Sequence, residues 1–197
     1  MKRYVLGLSG ASGSIFGIRL LQYLVRSAEV HFIVSVQSFS IIRHETGIDW
    51  EGASEGEVQE KIRIYLSSDR VYYYHDNNLA APPSSGSFKN DGMLIVPCSM
   101  KTLAGIAGGH ASNLVERAAD VAIKEGRKLL LSPREMPLSA IHLENMLKLS
   151  RLGVTIAPPI PAFYHKPKDL DDIIDFVTAK ILDSFNLEHD LFRRWGT

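Results

Sequence analysis

Four short stretches hold the residue types that could do chemistry. The first is GLSGASGSIFG, residues 7–17. Its serine-rich turn, Ser9-Gly10-Ala11-Ser12-Gly13-Ser14, follows the apolar run Tyr4-Val5-Leu6 and leads into Ile15, Ile18, Leu20, Leu21 and Leu24. Strand, glycine-rich turn, helix is the layout of a phosphate-binding loop, because N–H groups at a helix N-terminus attract an anion. The bland alternative is a tight turn that binds nothing. The glycines at 7, 10, 13 and 17 miss the G-x-G-x-x-G dinucleotide spacing, and Gly13-Ser14-Ile15 lacks the lysine of a P-loop. The run VHFIVS ends on Ser35, not on the acidic residue that holds a ribose in dinucleotide folds. A single phosphate monoester remains, and FMN is a natural candidate.

The second stretch is PCSMKT, residues 97–102. Ser99 and Thr102 either cap the next helix or donate to a phosphate or ribityl chain, and Lys101 adds a positive charge. Cys98 invites a nucleophile hypothesis, but a small residue at a buried strand end more often packs. The third stretch, SPREMP (132–137), presents Arg134 and Glu135 between two stiffening prolines. A bare surface ion pair there would contribute almost nothing; a position after a strand favours a functional role. The fourth, FYHKP (163–167), sets Tyr164 beside two cationic residues, to grip an anion or simply to pack. Glu45, Lys124 and Lys180 fall on or at the ends of helices, where charge ordinarily serves solvation or the dipole, and spacing alone does not nominate them. The seven histidines show no metal-ligand spacing.

Alternating elements must position these stretches. Strand patterns cover 3–8, 30–35, 71–74, 93–96, 128–131 and 154–157. Helical patterns cover 14–27, 38–45, 55–66, 102–107, 114–125, 138–152 and 169–185, the last with Leu170, Ile173, Ile174, Val177, Ile181 and Phe185 on one face. Apolar strands separated by helices imply an α/β fold: a doubly wound, mostly parallel sheet with helices on both faces. Ligands then bind beyond the carboxyl ends of the strands, at loops 9–14, 35–37, 97–102 and 132–137. Residues 75–91 carry no apolar period, and so long a loop is expected to be functional or mobile.

The 197 residues suit a single domain. Lys plus Arg equals Asp plus Glu, at 22 each, which argues against a long nucleic-acid partner. The lone cysteine fits a reducing cytoplasm, and no apolar run reaches the ~18 residues of a membrane span. The apolar tail Leu191-Phe192-Arg193-Arg194-Trp195 is expected to dock on the body or a neighbour.

GASGSIFGIRLL, VPCSMKTLAGIAGG, NLVERAADVAIKEGRKLLLSPREMPLSAIHLENMLKLSRLG and PAFYHKP resemble the UbiX-type flavin prenyltransferases over residues 5–195, most thinly over 47–91. The resemblance implies a Rossmann-like flavoprotein. It implies transfer of a dimethylallyl group from dimethylallyl monophosphate to N5 and C6 of reduced FMN, without a metal, giving prenylated FMN for a UbiD-type decarboxylase. It implies trimers packed into dodecamers, with the active site between subunits and residues 169–197 at an interface. By the same resemblance, Gly10, Ala11, Ser12, Ser35, Ser99, Met100, Lys101, Thr102 and Arg134 match flavin contacts. Lys124, Arg134, Tyr164 and Lys180 match positions that hold the donor's phosphate; a lysine at 180 keeps the charge without an arginine's fork. Glu135 matches the acid–base group, and Ser12 and Glu45 match residues of the later proton movements. A flavin-dependent cysteine decarboxylase and a non-catalytic FMN-binding module are the competing readings; the former carries an Asn in place of the PCSMKT pattern and a different loop at PREMPLSA.

Overall fold

A computed structural model describes residues 1–192. Its elements are β1 (Lys2–Leu8), α1 (Ser14–Leu24), β2 (Ala28–Val34), α2 (Val36–Thr46), α3 (Glu55–Leu66), β3 (Val71–His75), β4 (Met93–Cys98), α4 (Met100–Gly108), α5 (Leu114–Lys124), β5 (Leu129–Pro133), α6 (Ala140–Arg151), β6 (Thr155–Ile156) and α7 (Leu170–Ser184). They build one six-stranded sheet in the order β3-β2-β1-β4-β5-β6. Every pairing is parallel, so the sheet expected to be mostly parallel is wholly so. The winding direction reverses between β1 and β4, which opens a crevice at their carboxyl ends.

Successive strand residues face opposite sides of a sheet. Leu6, Leu8 and Phe32 therefore meet Ile18 and Leu21 of α1 and Phe176 and Ile181 of α7 on one face. Val5, Ile33 and Ile95 meet Leu103 of α4 and Val115 and Ala119 of α5 on the other. Burial on both faces explains why the strands read as unbroken apolar runs. At Gly17 a Cβ would stand 2.1 Å from the Val96 carbonyl oxygen, so glycine alone lets α1 press onto β4 beneath the crevice.

Several boundaries depart from the sequence reading by a few residues, and three of them bear on the site or its surroundings. The first helix stops at Leu24, β5 runs on through Pro133, and α2 begins at Val36, which makes Ser35 its N-cap. The stretch 75–91 is pinned: it contains a 3-10 turn at Pro82–Ser84, and the Arg127 guanidinium donates to the carbonyls of Phe88 (2.8 Å) and Gly86 (2.5 Å). Leu191 and Phe192 pack against the α1–α7 side of the core, as expected of the tail. Arg193, Arg194 and Trp195 lie outside the described residues. Among those described, no helix is long and apolar enough to cross a membrane.

Candidate active site at the carboxyl edge of the sheet

Three hydrogen bonds stitch the functional loops together. Ser9 N–H donates to the Pro97 carbonyl (3.2 Å), Ser99 N–H to Ser9 Oγ (2.9 Å), and Arg134 N–H to the Cys98 carbonyl (3.2 Å). The ends of β1, β4 and β5 thus become one floor.

On this floor the N-terminus of α1 is already filled. Gly13, at φ 93°, has no side chain with which to cap the helix. Glu45, in the last turn of α2, reaches back instead. Its carboxylate accepts from Gly13 N–H (3.0 and 3.1 Å), Ser14 N–H (2.9 Å) and Ser14 Oγ (2.7 Å). Burial works to raise the Glu45 pKa, but hydrogen bonds from the Ser12 and Ser14 hydroxyls and from the Ser14 and Gly13 N–H groups outweigh it. The carboxyl is held below its usual range. The Gly13 and Ser14 donors of the glycine turn are thus engaged by a carboxylate of the same chain.

A second anion-attracting site lies next door, where a cavity of about 450 Å³ is lined by Gly10, Lys101 and Thr102 and by the N-caps of three helices. These are Ser35 of α2, Ser99 of α4 and Asn113 of α5. Ser99 caps its own helix by accepting from Thr102 N–H (3.2 Å), and Asn113 does so from Glu116 N–H (2.9 Å). Ser35 makes no capping bond; its Oγ lies 2.8 Å from Ser38 Oγ. Three helix dipoles and Lys101 converge there against one acidic neighbour, Asp76.

On the other side of Gly10 opens a cavity of about 900 Å³, lined among others by Ala11, Ser12, Arg43, Glu45 and Arg134. Gly10 belongs to both cavities. A Cβ on it would press to 3.2 Å from Gln37 Cβ. Glu135 does not pair with Arg134 among the described residues; its carboxylate accepts from Met136 N–H (3.1 Å). The surface ion pair is therefore not formed, and Arg134 faces the cavity.

The remaining candidates lie elsewhere. Lys124 closes α5 just before β5 begins, at the amino edge of the sheet, with its Nζ 2.6 Å from Glu125. Lys180 sits on α7 with its Nζ 3.5 Å from Asp183, and the helix end beyond it packs Phe185 on Tyr4 near the start of β1. Tyr164 is exposed, its ring edge-on to Phe176 of α7. Met100 packs against the α4–α5 side of the core. Cys98 is fully buried, and burial pushes its thiol up to about 12, so it packs and is no nucleophile. The single chain gathers the flavin-contact candidates other than Met100; of the residues assigned to the donor it brings Arg134 there, but not Lys124, Tyr164 or Lys180.

Sequence reasoning missed Asn113, Asn77, Arg43 and His44, all lining these cavities. One signal was available: Asn113 followed three residues later by Glu116 is a helix-start signature, here with Glu116 accepting from Ser112 N–H (2.9 Å).

Comparison with known proteins agrees with this geometry. The Flavoprotein family model matches residues 1–182. A flavin prenyltransferase UbiX of Methanocaldococcus jannaschii is 47% identical over 195 residues, covering 99% of each chain. The dodecameric FMN-dependent UbiX-like decarboxylase of Escherichia coli O157:H7 superposes with a TM-score of 0.86 at 48% identity, over 99% of this chain and 100% of the other. AnUbiX (PadA1), solved in complex with FMN and dimethylallyl pyrophosphate, superposes with a TM-score of 0.89 at 43% identity, over 100% and 98%. The chain belongs to the flavoprotein family, among its UbiX-type flavin prenyltransferases.

Proposed function

We propose that this chain transfers a dimethylallyl group from a dimethylallyl phosphate to N5 and C6 of reduced FMN, making prenylated FMN. The observation that carries this reading is the pair of cavities sharing Gly10. One is framed by three helix N-caps and Lys101, and the other opens onto Ser12, Glu45 and Arg134. FMN fits that donor set as a substrate. Its phosphate and ribityl chain match Ser35, Ser99, Lys101 and Thr102. Its ring edge matches Gly10, Ala11, Ser12 and Arg134, with room beyond for a prenyl donor. Met100, the remaining flavin-contact candidate, would contribute from the α4 N-terminus. The relative solved with FMN and dimethylallyl pyrophosphate supports both ligands.

Breaking the allylic C–O bond leaves an anion, which Arg134 is placed to stabilise as charge develops. Reduced flavin is the nucleophile, so no protein thiol is required. Closure at C6 releases a proton; Glu135 is the acceptor we assign, with Ser12 and Glu45 relaying later movements. Lys124, Tyr164 and Lys180 complete the phosphate grip from neighbouring copies of the chain, because this chain holds Lys124 and Lys180 away from its own cavities. Exposed apolar side chains support such an assembly: Met136, Ile141, Leu147, Ile160, Phe163 and Leu170 are all more than half exposed. We read residues 1–197 as one flavin-binding unit, with 169–197 at a subunit interface. We read the assembly as trimer-based; a relative that superposes on this chain is dodecameric. We place the protein in the cytoplasm, supplying a UbiD-type decarboxylase.

The test is the mass of the flavin released after anaerobic incubation with reduced FMN and dimethylallyl monophosphate. A gain of one prenyl unit is expected; bound but unmodified FMN with every donor overturns the reading. Glu135→Gln should accumulate a singly bonded, uncyclised adduct. Mixing Lys124→Ala with Arg134→Ala subunits should restore part of the activity that each lacks, as only a site shared between subunits allows.

A further inference from the structure

We infer that Arg43 is a donor-selecting residue that lets this enzyme accept an allylic diphosphate as well as a monophosphate; the inference rests on the function proposed above. Arg43 lies in the last turn of α2 and lines the 900 Å³ cavity together with Arg134, which comes from a different element. Its Nη1 stands 3.6 Å from Asp49 Oδ2 and 3.7 Å from Glu51 Oε2, beyond hydrogen-bond distance from both. All three side chains are more than half exposed, at 55%, 53% and 63%. Such pairs contribute little, so the guanidinium, which stands beside two carboxylates outside the cavity lining, can turn toward the cavity at small cost. A plain helix-dipole role would need only its charge near the α2 C-terminus, not a place in the cavity wall.

One guanidinium grips one phosphate bidentately. A monophosphate donor is served by Arg134 with the Lys124, Tyr164 and Lys180 assigned above to neighbouring copies; a diphosphate brings a second phosphate and at least one more negative charge, and Arg43 is the second guanidinium-bearing residue lining this cavity. The step balances without another reactant. The allylic C–O bond breaks with its electron pair leaving on the diphosphate oxygen. The N5 lone pair of reduced FMN forms the new C–N bond, and the N5 proton passes to the departing diphosphate.

The experiment measures kcat/KM for dimethylallyl monophosphate and dimethylallyl pyrophosphate, with wild type, Arg43→Gln, Arg43→Lys and Glu51→Gln. Calorimetry of inorganic phosphate and pyrophosphate binding to the FMN-loaded protein runs beside it. Arg43→Gln should lower kcat/KM for the pyrophosphate about tenfold and leave the monophosphate within about twofold. Arg43→Lys should fall between. Glu51→Gln, which removes one of two weak counter-charges, should raise pyrophosphate use by no more than about twofold. In calorimetry, pyrophosphate affinity alone should fall in Arg43→Gln. Equal loss for both donors, no loss for either, or a wild type that uses only the monophosphate overturns the inference and leaves the prenyltransferase reading standing. A wild type that uses neither donor overturns both.

Discussion

The N-terminus of α1 and the N-termini of α2, α4 and α5 are anion sites made of the same parts and used in opposite ways. At α1 the chain supplies its own anion: α2 is long enough to carry Glu45 back over the glycine turn, where four hydrogen bonds hold it. At the other three helices the caps frame a cavity, and Ser35 leaves its helix uncapped. The difference teaches that a glycine-rich turn signals close backbone approach without saying what approaches. Here a carboxylate of the same chain occupies the helix start behind the motif, and the function proposed above assigns the phosphate to the site without one.

The strongest way to break this contrast is to put a carboxylate into the open site. Ser35→Glu should lower FMN affinity about 100-fold, or roughly 2.7 kcal/mol, through repulsion between like charges in a confined cavity. Ser35→Ala, which adds no charge, should lose tenfold or less, and it shows that the fold tolerates change there. Flavin fluorescence quenching measures both. Unchanged affinity in Ser35→Glu would place the phosphate elsewhere.

A smaller effect is expected at the sealed site. Glu45→Gln should cost about 1 kcal/mol of stability in urea at pH 7, the ordinary value of a lost cap, since Glu45 is solvent-exposed. FMN affinity should stay within about threefold, although transfer should slow. A marked rise in affinity would mean that phosphate competes with Glu45 for α1. The pH dependence has a definite sign. The Glu45 pKa is lower in the folded state than its ordinary 4.5. Its contribution is therefore complete above that value and is lost as pH falls through the folded pKa. The gap between wild type and Glu45→Gln should be flat from neutral pH down to about 5 and close below it.

The fold was legible because periodicity reports burial, and both faces of this sheet are buried. The loops that matter were legible because a parallel sheet puts ligands at its carboxyl edge. Three things were not. Ser35 as the cap of α2 was hidden because Val36 and Gln37 are exposed and break the apolar period on which the helix start was judged. The Glu45 seal depends on a contact between residues about thirty apart, which no local pattern encodes. Arg43 looked like any solvated charge, since spacing does not show which face of a helix borders a cavity. Lys124 and Lys180 came from resemblance alone, because in this chain they stand beside Glu125 and Asp183 and line neither cavity.

The smallest expected effect concerns Cys98, which lies beneath the junction of the two anion sites at the end of β4. Its thiol is fully buried and its pKa is raised to about 12, chiefly by burial, despite hydrogen bonding with Ser9 and Leu103. Only the thiolate is reactive, so the folded protein at pH 8 should resist a thiol reagent until denatured. Cys98→Ala removes one buried atom without touching either cavity wall. It should cost about 1 kcal/mol in stability and leave prenyl transfer within twofold. Fast labelling of the native protein would mean that the floor joining β1, β4 and β5 opens. A large loss of transfer in Cys98→Ala would mean that the two sites are held in register by packing below them as well as by the hydrogen bonds of Ser9.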